Sequence, residues 1–210
     1  IPIFVAHDSA DVWAHKHYFK MNEDGRLQVV SGVPPDYFSA TGQRWGNPCY
    51  DWQAIQNDGF KWWKQRLFHQ LAFFDLIRID HFRGFESYWE IPAEAETATE
   101  GRWVAAPGVE LLNELLKQKS DLPLVAEDLG LITDAVVALR DRFQFPGMKI
   151  FQFGFDGDPK NPHLPHNHIP NCLAYTGTHD NDTLLGWFQH LDPSTKQRVL
   201  DYLGSTSNEM

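Results

Sequence analysis

The sequence predicts an α/β fold on a parallel sheet, of the (β/α)8 TIM-type barrel kind. Three observations predict it. Strand-like apolar runs alternate with helical patterns along the chain. Acidic residues stand near the C-terminal ends of several different runs, as they do on the active-site face of such a barrel. No G-x-G-x-x-G and no P-loop follows any run, which disfavours a doubly wound nucleotide fold.

In order, the strand-like runs are "IPIFVA" (1–6), "DLIRID" (75–80), "LPLVAE" (122–127), "GMKIFQF" (147–153) and "CLAYTGT" (172–178). The acids at their ends are Asp8, Asp80, Glu127 and Asp180. Between the runs, residues 50–74 contain a long helical pattern with Asp58 as a cap candidate. Residues 108–120 are amphipathic, and 133–143 start on Thr133, a good N-cap residue. Residues 181–191 and 193–204 close the chain as two more helices. About five runs stand against the eight strands of a closed barrel. An unclosed barrel exposes sheet edges. The chain also opens on "IPIFVAHD" without an initiator Met, so it is expected to be a piece of a longer protein.

Composition narrows the function classes. A hydrophobic share of 42% is ample for a sizeable core. With 28 acidic and 18 basic side chains the net charge is −10, the wrong balance for nucleic acid, which needs a basic stripe. No run approaches the roughly 18 apolar residues of a membrane span, and no signal peptide is recognisable, so a cytoplasmic location is expected. The two cysteines, Cys49 and Cys172, lie far apart without metal spacing, which suits a reducing compartment. Eight Trp fit either flat faces for sugar rings or a Trp-rich core.

The chemistry is concentrated at the strand ends. In "LIRIDHFRG" (76–84) the period of two puts Arg78 and Asp80 on one side and Ile77 and Ile79 on the other. The apolar pair suits the helix-facing side and the charged pair the barrel axis. Arg78 favours the ionised form of Asp80, and an oriented carboxylate can serve as nucleophile. Seen alone, such a pair is more often a structural ion pair. Glu127 emerges from the apolar "LVA", where burial favours the protonated form and a general-acid role. Equally, Glu127 or Asp128 can cap the following loop. "YTGTHDNDT" offers His179 and Asp180 to vicinal sugar hydroxyls, while Asn181, Asp182 and Thr183 suit a helix N-terminus. Retaining glycosidic chemistry needs a nucleophile and an acid/base with carboxyl groups roughly 5 to 5.5 Å apart. The three His of "HLPHNHIP" (163–170) invite a zinc reading, but two prolines make an irregular loop more natural.

"RIDHFRGF", "EGRWVAAPG", "VAEDLG", "PGMKIFQF", "NPHLPHNH" and "YTGTHDNDT", in this order, resemble the amylomaltases, or 4-α-glucanotransferases (disproportionating enzymes), of the α-amylase clan. "AHDSADVWAH" and "SGVPPDYFSATGQRWGNPCYDW" resemble earlier segments of the same family, so the likeness covers essentially the whole chain. The resemblance implies a (β/α)8 barrel of which the first strands and the last are missing here, with 22–48 a substrate-covering loop insertion. It implies Asp80 as nucleophile, Arg78 as its partner, Glu127 as acid/base and Asp180 as transition-state stabiliser. It further implies sugar contacts from His179, Trp45, Tyr37, Phe38, Asp8 and His81. The implied reaction passes an α-1,4-glucan segment between malto-oligosaccharide or starch-type chains by retaining double displacement. No metal and no organic cofactor are called for. A plastid stroma is then an alternative location. Two other readings stand beside it: a hydrolytic α-amylase-like glycosidase, and a non-catalytic glucan-binding barrel fragment.

Overall fold

The computed structural model describes residues 1–36 and 39–206, so the expectations for Tyr37 and Phe38 lie outside the described residues. The chain divides into two compact units, Ile1–Phe145 and Pro146–Met210.

The first unit runs α1 (Ala10–Ala14), β1 (Val29–Val33), β2 (Gln43–Pro48), α2 (Trp52–Asn57), α3 (Lys61–Leu71), β3 (Ile77–Ile79), β4 (Ser87–Pro92), β5 (Arg102–Ala105), α4 (Gly108–Leu116), β6 (Leu124–Ala126) and α5 (Asp134–Arg142). β3 and β6 pair in parallel, with Ile77 opposite Leu124 and Ile79 opposite Ala126. Ile77 and Ile79 are buried and Arg78 is not, which is the expected alternation. Along the other side of β3 lies the N-terminal run. It makes a single parallel bridge, Pro2 to Asp80, instead of a strand over 1–6. Ile3 N–H donates to the Asp80 carbonyl (3.2 Å) and Asp80 N–H to the Ile1 carbonyl (2.9 Å). The apolarity of Ile3, Phe4 and Val5 is used instead in the core, where all three are buried.

The second feature of this unit is an antiparallel sheet in the order β2-β1-β4-β5. Two of its strands fall inside 22–48, so that stretch is ordered sheet as well as loop. The β1–β2 register shifts between Val30 and Gly32, with the extra residues on β2. Gly32 is required there, since a Cβ would lie 2.1 Å from the Gln43 carbonyl oxygen. Glu90 on β4 is 2% exposed. One carboxylate oxygen accepts from Lys20 Nζ, and the other from Arg102 Nε (3.2 Å) and Nη2 (2.8 Å).

The long helical pattern of 50–74 is broken in two. Gly59 (φ +62°) and Phe60 (φ +57°) turn left-handed between α2 and α3. For Phe60 that conformation costs about 1–2 kcal/mol, offset by burying its ring in the core at 4% exposure. Asp58 does cap: its backbone closes α2, and its carboxylate accepts from Lys61 Nζ (2.7 Å) at the start of α3. The core of the unit is aromatic. Tyr50, Trp52, Trp62, Trp63 and Phe85 are buried together, and Tyr50 donates its hydroxyl proton to the Ile3 carbonyl (2.6 Å). Three of the tryptophans thus serve the core, while Trp13 and Trp45 stay exposed.

The second unit holds β7 (Gly147–Ile150), β8 (Cys172–Tyr175), α6 (Leu184–His190) and α7 (Pro193–Leu203). β7 and β8 pair in parallel, Met148 opposite Leu173. Thr183 caps α6 through Gly186 N–H, and Asp192 caps α7 through the amides of Ser194 and Thr195. Phe155, Leu164 and Val199 form the local core. The three histidines of 163–170 are engaged separately: His163 accepts from Ile150 N–H, His166 meets Tyr202 Oη, and His168 meets the His163 carbonyl. Cys49 and Cys172 are free. Among the described residues no helix is long and apolar enough to cross a membrane.

Candidate active site

Asp80 follows β3 directly and Glu127 follows β6 directly, so the register that pairs Ile79 with Ala126 sets the two acids side by side. Neighbouring strands lie about 4.8 Å apart, and in-register residues of a parallel pair point to the same face. Arg78 lies two residues before Asp80 and shares its face, with Nη2 2.6 Å from Asp80 Oδ1.

Glu127 sits in a different environment. It is half-buried, its Oε2 accepts the His81 N–H (2.7 Å), and its Oε1 accepts the Leu129 N–H (2.8 Å). Burial pushes its acidity the other way from those bonds and prevails, so the carboxyl is held above the usual glutamate range; the charge of Asp80 adds to this and that of Arg78 opposes it. Asp128, the next residue, points elsewhere and pairs with Arg140 of α5 (2.5 Å). The loop-capping role expected for one of these two residues therefore belongs to Glu127.

His81 is the strained member. Its backbone is left-handed (φ 55°, ψ 52°). Burial, with Arg83 adding, pushes its imidazole down to about 3, so the ring is neutral at physiological pH. Its buried Nε2 has no hydrogen-bond partner among the described residues. The ring meets Trp45 edge-on at 4.7 Å between centroids. Trp45 on β2 is 38% exposed and donates its indole N–H to Gln43 (3.0 Å), leaving a face toward solvent. A cavity of about 490 Å³ opens here, walled by Phe4, Asp11, Trp45, Asn47, Asp80 and His81 among others.

The first unit therefore gathers Arg78, Asp80, His81, Glu127 and Trp45. Asp8 is exposed in the turn before α1 and does not line the cavity. Asp11 does, with its carboxylate accepting from Trp62 Nε1 (3.1 Å). Asp11 and Asn47 are the wall residues that sequence reasoning missed. The signal for Asp11 was Ser9, a good N-cap whose side chain accepts Val12 N–H and sets the direction of α1. His179 and Asp180 belong to the second unit, in the loop after β8, both exposed and 3.5 Å apart. Thr178 and Asn181 brace that loop: the Asn181 side-chain carbonyl accepts the Thr178 N–H (2.8 Å) and hydroxyl (3.0 Å). Among the described residues no three His, Cys, Asp or Glu side chains converge as a metal site.

A neutral-capable acid beside an ionisable, arginine-braced carboxylate, next to a cavity with an aromatic wall, suits acid-assisted displacement on a sugar. Known proteins resemble the chain along its whole length. The family model described as 4-alpha-glucanotransferase matches residues 1–210. The 4-alpha-glucanotransferase of Thermus thermophilus is 56% identical over 97% of this chain and 41% of its own length. The 4-alpha-glucanotransferase, chloroplastic/amyloplastic, of Solanum tuberosum is 50% identical over 100% of this chain and 36% of its own length. Among solved structures, amylomaltase from Streptococcus agalactiae in complex with acarbose superposes with a TM-score of 0.96 at 41% identity, covering 100% of this chain and 43% of that one. The chain thus spans well under half the length of the relatives it matches. On the family match along its whole length and on these identities, the chain belongs to the 4-alpha-glucanotransferase family.

Proposed function

We propose that the protein of which this chain is a part is a 4-α-glucanotransferase working by retaining double displacement. The observation that carries the reading is the pair Asp80 and Glu127 at the ends of adjacent parallel strands, one braced by Arg78 and the other held toward its protonated form. The Asp80 carboxylate attacks the anomeric carbon. Glu127 gives its proton to the departing 4-oxygen, and a glycosyl ester forms on Asp80. Glu127, now a carboxylate, takes the proton of an acceptor 4-hydroxyl. The acceptor oxygen attacks the anomeric carbon and releases Asp80, so two inversions give net retention. Asp180 stabilises the charged ring in the transition state, and His179 binds ring hydroxyls beside it. Trp45 stacks an acceptor sugar, which holds a hydroxyl in place of water. Tyr37, Phe38 and Asp8 are assigned further glucan contacts on the family resemblance alone.

In the same reading the chain contributes to a (β/α)8 barrel, with 22–48 covering the substrate. Support comes from the parallel pairs β3–β6 and β7–β8 and from the amylomaltase superposition. The substrates are malto-oligosaccharides or starch-type glucans. The location is a cytoplasm or a plastid stroma, the latter supported by the potato relative's name. Incubation with maltotriose, followed by separation of products by chain length, tests the activity. Glucose plus a ladder of longer oligosaccharides is expected. Shorter products alone would make the protein a hydrolase, and bound but unaltered maltotriose would make it a glucan-binding segment.

A further inference from the structure

The turn at His81 interrupts the β3–β6 ladder in a specific way. In an uninterrupted parallel ladder the amide of 127 bonds the carbonyl of 79, and the amide of 81 bonds the carbonyl of 127. The first bond is present, Glu127 N–H to the Ile79 carbonyl (3.0 Å). The second is displaced by one residue: Phe82 N–H, not His81 N–H, reaches the Glu127 carbonyl (3.1 Å). The left-handed conformation of His81 inserts the extra residue, as in a bulge. The freed His81 amide turns to the Glu127 side chain at 2.7 Å. A single residue thus has its carbonyl and its carboxylate held by successive amides of the neighbouring strand end.

We propose that residue 81 is a positioning residue for Glu127, acting through its left-handed backbone and freed amide and not through its imidazole. The inference rests on the reading of Glu127 as acid/base. An amide aimed at one carboxylate oxygen favours the ionised form and fixes the orientation of the group. Leu129 N–H does the same for the other oxygen. The charged and titratable groups around Glu127 are Arg78 and Asp80 from β3, His81 and Arg83 from the turn behind it, and the Asp128–Arg140 pair reaching to α5. The imidazole itself contacts Trp45 and the cavity, so its loss is felt in substrate affinity.

The test separates backbone from ring. His81→Gly and His81→Asn both lose the imidazole and both accept a left-handed backbone. His81→Val loses the ring and disfavours that backbone; His81→Ala is a milder version should the valine variant not fold. Glu127 is titrated directly by carboxyl carbon NMR on glutamate-labelled protein, its resonance identified by its absence in Glu127→Gln. The alkaline limb of kcat/KM with maltotriose is followed in parallel. The midpoint is expected to stay in place in the Gly and Asn variants. It is expected to rise by about one unit in the Val variant and less in the Ala variant, because a donor to the carboxylate is lost. Equal midpoints in all four variants would overturn the proposal, as would equal shifts in all four, which would assign the effect to the ring. If the protein leaves maltotriose unaltered, the transferase reading fails, while the NMR midpoint still decides the role of residue 81.

Discussion

Replacing Lys20 by Met should destabilise the first unit more than replacing its partner Glu90 by Gln. Glu90 is the buried party at 2% exposure, whereas Lys20 and Arg102 are 28% and 76% exposed at their side chains. In Glu90→Gln the two cations turn to water and the amide keeps the shape. The loss is the difference between charge-assisted and neutral hydrogen bonds, about 2 kcal/mol for the pair of cations. In Lys20→Met the carboxylate stays in a place that water does not reach. It retains Arg102 and the Tyr88 hydroxyl (3.3 Å). Breaking a buried pair from the cation side costs about 3–5 kcal/mol, and the remaining donors place this case near 3 kcal/mol. The shift is also pH-dependent. Burial raises the Glu90 carboxyl, but Lys20 and Arg102 together outweigh it and hold the group below its ordinary range. A depressed carboxylate contributes stability that is present above the unfolded value of about 4.3 and is lost as pH falls through the folded value. The gap between Lys20→Met and the parent should therefore narrow as pH drops below about 4. Urea midpoints at pH 7 and across the acid range measure this. A Lys20→Met variant within about 0.5 kcal/mol of the parent, or a gap constant with pH, would refute the reasoning.

Other expectations follow the site. Asp80→Asn should abolish glucan transfer while leaving oligosaccharide binding measurable by calorimetry; retained turnover would remove Asp80 from the nucleophile role. Glu127→Gln should flatten part of the pH–stability curve. With its folded value raised, Glu127 contributes stability fully present below about 4.3 and lost as pH rises through the folded value; the variant should therefore lack that alkaline decline in thermal midpoint. Trp45→Ala should raise the ratio of hydrolysis to transfer several-fold by weakening acceptor stacking, read as free reducing ends per new oligosaccharide. An unchanged ratio would confine Trp45 to packing against His81. Gly84→Ala should cost about 1–3 kcal/mol, because its Cβ would meet Ile3 Cδ1 at 2.7 Å and His81 Cδ2 at 3.3 Å; chemical unfolding checks it.

How far the sequence could be read depended on what each segment's residues were used for. β3 and β6 were legible because short apolar runs flanked by acids have few other fates; the alternation of β3 matched the observed burial, and β6 is buried throughout. The first run was over-read: its apolar residues go to the core, and one bridge, Pro2 to Asp80, ties it to the end of β3. The antiparallel sheet escaped notice because its strands lack a clean alternation. In β2 the first three residues are all exposed, and β4 ends on a proline. The helix break at Gly59 and Phe60 was hidden by an apolar pattern that continues across it. At the site, the carboxylates were legible from their placement, but the backbone donors to Glu127 were not, since an amide leaves no trace in residue identity. Asp8 was expected near the glucan on the resemblance, whereas the structure leaves it exposed in the turn before α1 and sets Asp11 in the cavity wall.

The β1–β4 ladder pairs Val30 with Ile91 and so encloses α2, α3 and β3 within one loop of chain. The consequence is kinetic. Contacts this distant in sequence form slowly, because the intervening chain must be closed before they stabilise anything. The β3–β6 pair that carries Asp80 and Glu127 is also non-local, but it draws on the aromatic core for its burial. Trp45, by contrast, is held by β2, which among the described residues pairs with β1, as near in sequence as Val33 to Gln43. During folding this local pair is therefore expected to form first and the carboxylates to assemble later. A tryptophan signal from position 45 should lead the formation of the β3–β6 pair, giving a species with its aromatic wall in place and its acids still apart.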